Sequence, residues 1–258
     1  MVTHKLKSIL VAILAASALA TASDSGVYSY RAQRSFDNGK FARGYNQLER
    51  ALLASRKEAD LLAEGRVLIA MAQIRTMSLD LNFADSLLSI IHEEILDNNT
   101  KTQFYKTKIA LLNTRGKYRD AANICYRISS KTLKDADDNM LAAFHGECAV
   151  AHAGNRDTSR AKESLKMVGK CIDKKSGFYT FTAARLADFS GKPEADSLYR
   201  TAEAKAIQAN KPYNTATALY YRSLLKTTPK KEAAELKARC KNAFELMGLP
   251  NNSKRCAR

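Results

Sequence analysis

Small and apolar residues recur along this chain with helical spacing. A triplet at positions i, i+4 and i+7 appears about six times, roughly 38 residues apart, a period in the range typical of helical repeats. The copies are Gly44/Leu48/Ala51, Ala84/Leu88/Ile91, Ala121/Cys125/Ile128, Ala161/Leu165/Val168, Ala195/Tyr199/Ala202 and Leu236/Cys240/Ala243. Each triplet lies on one face of a helix, so these positions are predicted to be packing positions.

The pattern between the triplets predicts six antiparallel helix hairpins. Alternating runs rich in Val, Ile and Thr are absent, Trp is absent, and prolines stand where helices start or stop. The predicted helix pairs are Gly26–Phe36 with Phe41–Ser55, Glu58–Met77 with Phe83–Leu96, Thr102–Thr114 with Tyr118–Ser130, Asp137–Ala153 with Thr158–Cys171, Phe178–Phe189 with Pro193–Asn210, and Tyr213–Lys226 with Pro229–Met247. The fold class is therefore predicted to be all-α.

Two of the hairpin turns carry a glycine, an aromatic residue two positions later and a small residue three positions after that. They are Gly116–Ala121 and Gly39–Gly44. These turns resemble those of the tetratricopeptide-repeat (TPR) superfamily, although the period here is longer than that family's 34 residues. The resemblance implies a right-handed α-solenoid of about six antiparallel helix hairpins, with the first helix of each hairpin along a concave face. The matched residues are packing residues, so the resemblance concerns fold more than function.

The N-terminus has the pattern of an export signal. Lys5 and Lys7 precede an apolar run, Ile9–Ala20, which is too short to span a bilayer at about 20 residues per helix. Ala20-Thr21-Ala22 fits a small-x-small cleavage site. We expect residues 1–22 to be a cleavable, bacterial-type signal peptide and residues 23–258 to form one domain in a periplasmic or secreted protein. An uncleaved membrane anchor is the alternative.

The net charge of +16 indicates attraction to anionic surfaces. Because the lysines are dispersed rather than clustered, a solvated basic exterior explains much of this charge. We expect no nucleic-acid partner. Peripheral contact with a membrane or with envelope polymers stays open.

The chain has five cysteines, and disulfides are permitted in an exported protein. If the second helix of the third hairpin packs on the first helix of the fourth, Cys125 and Cys148 lie at heights that differ by only about 4–5 Å. A turn at Gly248 and Pro250 would bring Cys256 back to Cys240. Both pairings are candidates, and free thiols in all five positions are the alternative.

No constellation of residues indicates catalysis. His145, Cys148 and His152 share a helix face, but the two histidines lie roughly 10 Å apart along the axis, too far to bind one ion comfortably. Nucleophile elbows, phosphate-binding glycine loops and metalloprotease motifs are absent. We therefore expect neither enzymatic activity, nor a cofactor, nor a metal site.

Aromatic and basic residues on the predicted first helices suit the capture of a protein or peptide. The candidates for partner binding are Arg66, Arg75, Tyr105, Lys108, Tyr179, Arg185, Tyr221 and Arg222. The sequence therefore predicts an exported helical-repeat scaffold that binds a protein or peptide, possibly acidic, through its concave face. The alternative is a basic protein that binds polyanions or membrane surfaces without a specific pocket.

Overall fold

The computed structural model describes residues 23–258, which are helical throughout and contain no strand. The predicted signal peptide, residues 1–22, lies outside the described residues. Fourteen α-helices and one 3-10 turn, Glu93–Ile95, make up the described chain. The helices are α1 Asp24–Asp37, α2 Phe41–Lys57, α3 Leu61–Met77, α4 Leu81–Ser89, α5 Asn98–Thr114, α6 Tyr118–Arg127, α7 Ser130–Leu133, α8 Asp138–Gly154, α9 Thr158–Cys171, α10 Gly177–Phe189, α11 Ala195–Gln208, α12 Pro212–Ser223, α13 Lys230–Leu246 and α14 Pro250–Ala257.

Side-chain caps start several of the first helices of the hairpins. Asp60, Asp97 and Asp137 accept hydrogen bonds from the backbone amides three residues later, at 2.9, 2.7 and 2.8 Å. Each carboxylate satisfies an amide that the first turn of a helix leaves unpaired. These caps fix where α3, α5 and α8 begin.

The turns inside the hairpins use left-handed backbone conformations. Gly39, Gly116 and Gly191 have φ of 70°, 73° and 64°, a region that glycine enters without steric cost. The second hairpin has no glycine in its turn, and Leu79 adopts φ 59° instead.

Gly154, which the sequence places at the turn of the fourth hairpin, has a different role. It is the last residue of α8, and a Cβ atom there would lie 2.3 Å from the ring of Tyr118. Glycine at this position therefore allows a close approach between α8 and α6.

The helices form the hairpins that the sequence predicts, with shifted ends. Each long helix packs on the next, and the first helices α3, α5, α8 and α10 also lie side by side along the chain. All members of the repeated triplet are buried or half-buried, which agrees with a packing role. The main differences are α4, which stops at Ser89, and two short helices, α7 and α14, that the pattern did not predict. None of the helices in residues 23–258 is long and apolar enough to cross a membrane.

The last hairpin and α14 contact the first two hairpins, so the two ends of the helical array meet. The Lys211 ammonium donates to the Asp37 carboxylate at 2.8 Å. The Tyr213 hydroxyl and the Asn252 side-chain amide both donate to the carbonyl oxygen of Met77, at 3.0 and 2.9 Å. We call these three interactions the closure contact.

An apolar layer supports the closure contact. The rings of Phe41 and Tyr213 are 5.6 Å apart, and one buried cluster joins Phe41 on α2 to Phe244 and Met247 at the end of the chain. A Cβ atom on Gly39 would lie only 3.0 Å from Pro212. The helical array therefore closes on itself, and the inner faces of the first helices border a common space.

Candidate ligand-binding cavity

A cavity of about 480 Å³ lies where the inner faces of α3, α5, α8, α10 and α12 converge. The C-terminal part of α11 and residues of α13 and α14 complete its wall. Its volume is within the range of small-molecule and side-chain pockets, about 300–1,000 Å³.

Helical periodicity selects the residues that line the cavity. On α5 they include Lys106, Ala110 and Asn113, spaced four and three residues apart. On α10 they include Phe178, Phe181 and Arg185, spaced three and four residues apart. Each helix thus presents one stripe to the cavity, as i, i+3, i+4 and i+7 neighbours do.

The cavity wall is basic and aromatic. Its cations are Lys106, Arg185, Lys205, Lys211 and Arg255, its one carboxylate is Glu147, and its aromatic residues are Phe178, Phe181, Tyr213, Tyr220, Tyr221 and Phe244. Three of the cations have partners elsewhere. Lys211 pairs with Asp37, and Arg185 lies 3.8 Å from the Asp188 carboxylate. Lys205 donates to the Lys175 carbonyl oxygen and the Thr180 hydroxyl.

Lys106 and Glu147 form the polar side of the cavity. The Lys106 ammonium, 9% exposed, donates to Gln73 Oε1 at 2.7 Å. Burial lowers the pKa of Lys106 to about 8, an effect that the charge of Glu147 partly offsets. Burial raises the pKa of the Glu147 carboxyl, although a 2.9 Å hydrogen bond from Asn113 and the charges of Lys106 and Arg185 act in the opposite direction.

On the aromatic side of the cavity, two guanidinium groups stack on aromatic rings. Arg185 lies over the ring of Tyr221, 3.7 Å from its centroid, and over Phe189 at 4.7 Å. Arg255 lies over Tyr220 at 4.2 Å and is 5.9 Å from the centroid of Tyr221. A guanidinium stacked in this way keeps its N–H groups free in its own plane, where an anion can accept them.

Of the eight residues that the sequence proposed for partner binding, Arg185 and Tyr221 line the cavity. Arg66 instead pairs with Asp97 at 2.5 Å, and Arg75 stacks on Tyr45 with a centroid distance of 3.9 Å.

Tyr105, Lys108 and Tyr179 lie on other faces of α5 and α10. Tyr105 is half-buried and donates its hydroxyl hydrogen bond to Glu93, whereas Lys108 is exposed to solvent. Since successive residues are about 100° apart on a helix, Lys106 and Lys108 point in nearly opposite directions. Lys106 therefore lines the cavity, whereas Lys108 lies on the opposite face of α5.

Arg222 is an internal residue and does not face the cavity. It is 5% exposed, and its guanidinium contacts Asp196 at 2.8 Å, Glu203 at 3.6 Å and also Glu232. Burial would raise the pKa of the Asp196 carboxyl, but hydrogen bonds from Arg222 and Arg200 lower it overall. Arg222 is therefore occupied by three carboxylates and serves packing between α11, α12 and α13.

The structure brings the cysteines together in the two pairs that the sequence suggested. Cys125 joins Cys148, and Cys240 joins Cys256, each as a disulfide with a Cα–Cα distance of 5.9 Å. Cys171, half-buried, is the free cysteine. The second bridge ties α14, which carries Asn252 and Arg255, to α13.

Metal ligands are not clustered among residues 23–258, where no group of three His, Cys, Asp or Glu side chains is arranged to hold an ion. His152 packs against the ring of Tyr126 at 5.0 Å, and Cys148 is bonded to Cys125.

Sequence reasoning missed Lys106, Glu147 and Arg255. Lys106 and Glu147 carry a usable signal, because each is a charged residue in a buried stretch of a first helix. Arg255 carries no such signal, since its position depends on how the C-terminal tail folds back. No protein-family model matches the chain, and a comparison with curated proteins finds no similar sequence.

Proposed function

We propose that this protein is a non-enzymatic, exported binding protein, built as a right-handed α-solenoid of TPR-like hairpins, that captures an acidic protein or peptide segment in its central cavity. The arrangement of consecutive hairpins, with first helices side by side around the cavity, supports a TPR-like solenoid. The resemblance of the turns at Gly39 and Gly116 to those of the TPR superfamily also supports this fold.

The observation that carries this proposal is the charge of the cavity wall. Five cations and one carboxylate surround a space that is also lined by six aromatic rings. A basic, aromatic concave surface favours a partner that presents negative charge next to apolar groups. Arg255 is suited to the central role, because no carboxylate among the described residues pairs with it.

The test is retention of partners from envelope extract by the immobilised protein at about 50 mM and about 200 mM salt, a range over which nonspecific electrostatic binding collapses. We expect one defined protein or peptide to be retained at the higher salt concentration. Arg255→Gln should lose it, because the substitution removes a cavity charge. Arg50→Gln, which removes an exposed charge on α2, is the matched control and should retain it.

Two results would contradict the proposal. Retention of bulk anionic material at low salt alone, equally by both variants, would favour a polyanion-binding protein without a pocket. Retention of the same partner by Arg255→Gln and by the unchanged protein would place binding outside the cavity.

A further inference from the structure

Arg255 is a cation of the cavity wall that lacks a counter-ion among the described residues. It is half-buried on α14 and makes no ion pair within 4.0 Å with the carboxylates of residues 23–258. Lys106, deeper in the wall, likewise has Gln73 as its hydrogen-bond partner and no carboxylate within that distance. Buried charges are costly unless they are paired, so these two cations favour an anion from outside the chain.

The aromatic rings lie directly beside these charges. Two guanidinium groups lie near Tyr221, Arg185 at 3.7 Å and Arg255 at 5.9 Å from its centroid. Phe181 packs edge-on against Tyr221 at 5.9 Å, and Phe178, which also lines the cavity, is 41% exposed. A ligand that reaches Arg255 therefore contacts ring faces within a few ångströms of its charge.

We infer that the cavity binds an aromatic organic anion, in which a ring carries a negative group next to it. This inference rests on the proposed function, since it assigns the chemistry of the same cavity. The anionic group lies at Arg255 and Lys106, and the ring lies against Phe178, Phe181 and Tyr220. A free organic acid and an acidic-aromatic segment of a peptide both present this chemistry.

A matched pair of fluorescent probes tests the inference. The first, 8-anilinonaphthalene-1-sulfonate, has a fused aromatic ring, an N–H group and a sulfonate. The second, N-phenyl-1-naphthylamine, has the same rings and N–H but no charge. We expect one sulfonate probe to bind per chain, at least about 10-fold more tightly than the neutral probe, because a charge-assisted hydrogen bond contributes that much.

Arg255→Gln separates charge recognition from the cavity itself. The substitution should weaken the affinity for the sulfonate probe about 10-fold. It should leave the affinity for the neutral probe unchanged, which also shows that the cavity is still formed. Arg50→Gln should alter neither affinity. Equal affinity for the two probes, or an Arg255→Gln variant that binds the sulfonate probe as well as the unchanged protein, would overturn the inference.

Competition identifies the source of the anion. Displacement of the bound probe by a peptide containing Asp-Phe, and not by its Asn-Phe counterpart, assigns a peptide segment. Displacement by naphthalene-1-sulfonate alone assigns a free organic acid. If a partner is retained through Arg255 while the two probes bind equally, the inference fails and the proposed function stands. If neither partner nor probe depends on Arg255, both fail.

Discussion

Replacing Tyr199 by alanine is expected to lower the free energy of unfolding by about 3–5 kcal/mol, the typical cost of truncating a buried aromatic side chain. Tyr199 is fully buried at the middle of its triplet. Its ring packs edge-on against Phe181 at 5.8 Å and parallel to Tyr221 at 6.1 Å. Its hydroxyl donates to the Asp188 carboxylate at 3.1 Å. Chemical denaturation monitored by circular dichroism measures the loss.

Two variants separate the causes of this effect. Tyr199→Phe keeps the ring and removes the hydroxyl, so we expect a loss of about 1 kcal/mol. Tyr30→Ala removes a tyrosine that is 64% exposed and should change stability by less than about 0.5 kcal/mol. A loss below about 1 kcal/mol for Tyr199→Ala would mean that this tyrosine is not part of the core.

The double substitution Cys125→Ala/Cys148→Ala is expected to lower the free energy of unfolding by about 3 kcal/mol. The bridge links two helices across a separation of 23 residues, and removing it frees the unfolded chain to adopt more conformations. Denaturation of the variant and the unchanged protein, both under non-reducing conditions, measures the difference.

Cys171→Ala is the control, because it removes a free thiol and should change stability by less than about 0.5 kcal/mol. A reducing agent should bring the unchanged protein to the stability of the double variant or below it, since it also opens Cys240–Cys256. Mass spectrometry of non-reduced peptides that finds all thiols free would contradict both bridges.

What depends on local periodicity could be predicted from the sequence. The triplets identified the packing faces, and the turns at Gly39 and Gly116 located two hairpins because a positive φ is a local requirement. The heights of Cys125 and Cys148 followed from counting residues along two adjacent helices. The turn at Leu79 was less evident, since leucine gives no sign that it will adopt φ 59°.

The lining of the cavity depends on which stripe of each helix faces inward, and the composition of a helix does not determine this. Lys106 and Lys108 are both lysines on α5, so composition does not distinguish them. Because they are two residues apart, they point in nearly opposite directions, and Lys106 is the one that lines the cavity. Arg222 seemed a surface residue because the carboxylates around it come from α11 and α13. The closure contact was beyond local reasoning altogether, since Asp37 and Lys211 are 174 residues apart.

The central claim, that the two ends of the array meet and enclose the cavity, has a direct chemical test. A carbodiimide joins a carboxylate to an amine without a spacer, and the Asp37 and Lys211 side chains are 2.8 Å apart and 45% and 42% exposed. We predict an Asp37–Lys211 amide in the monomer fraction, found by peptide mass spectrometry. The pair Lys241–Glu245, 3.8 Å apart on one helix, is the positive control. Formation of the control link without the Asp37–Lys211 link would show that the ends are separate, and would contradict the enclosed cavity.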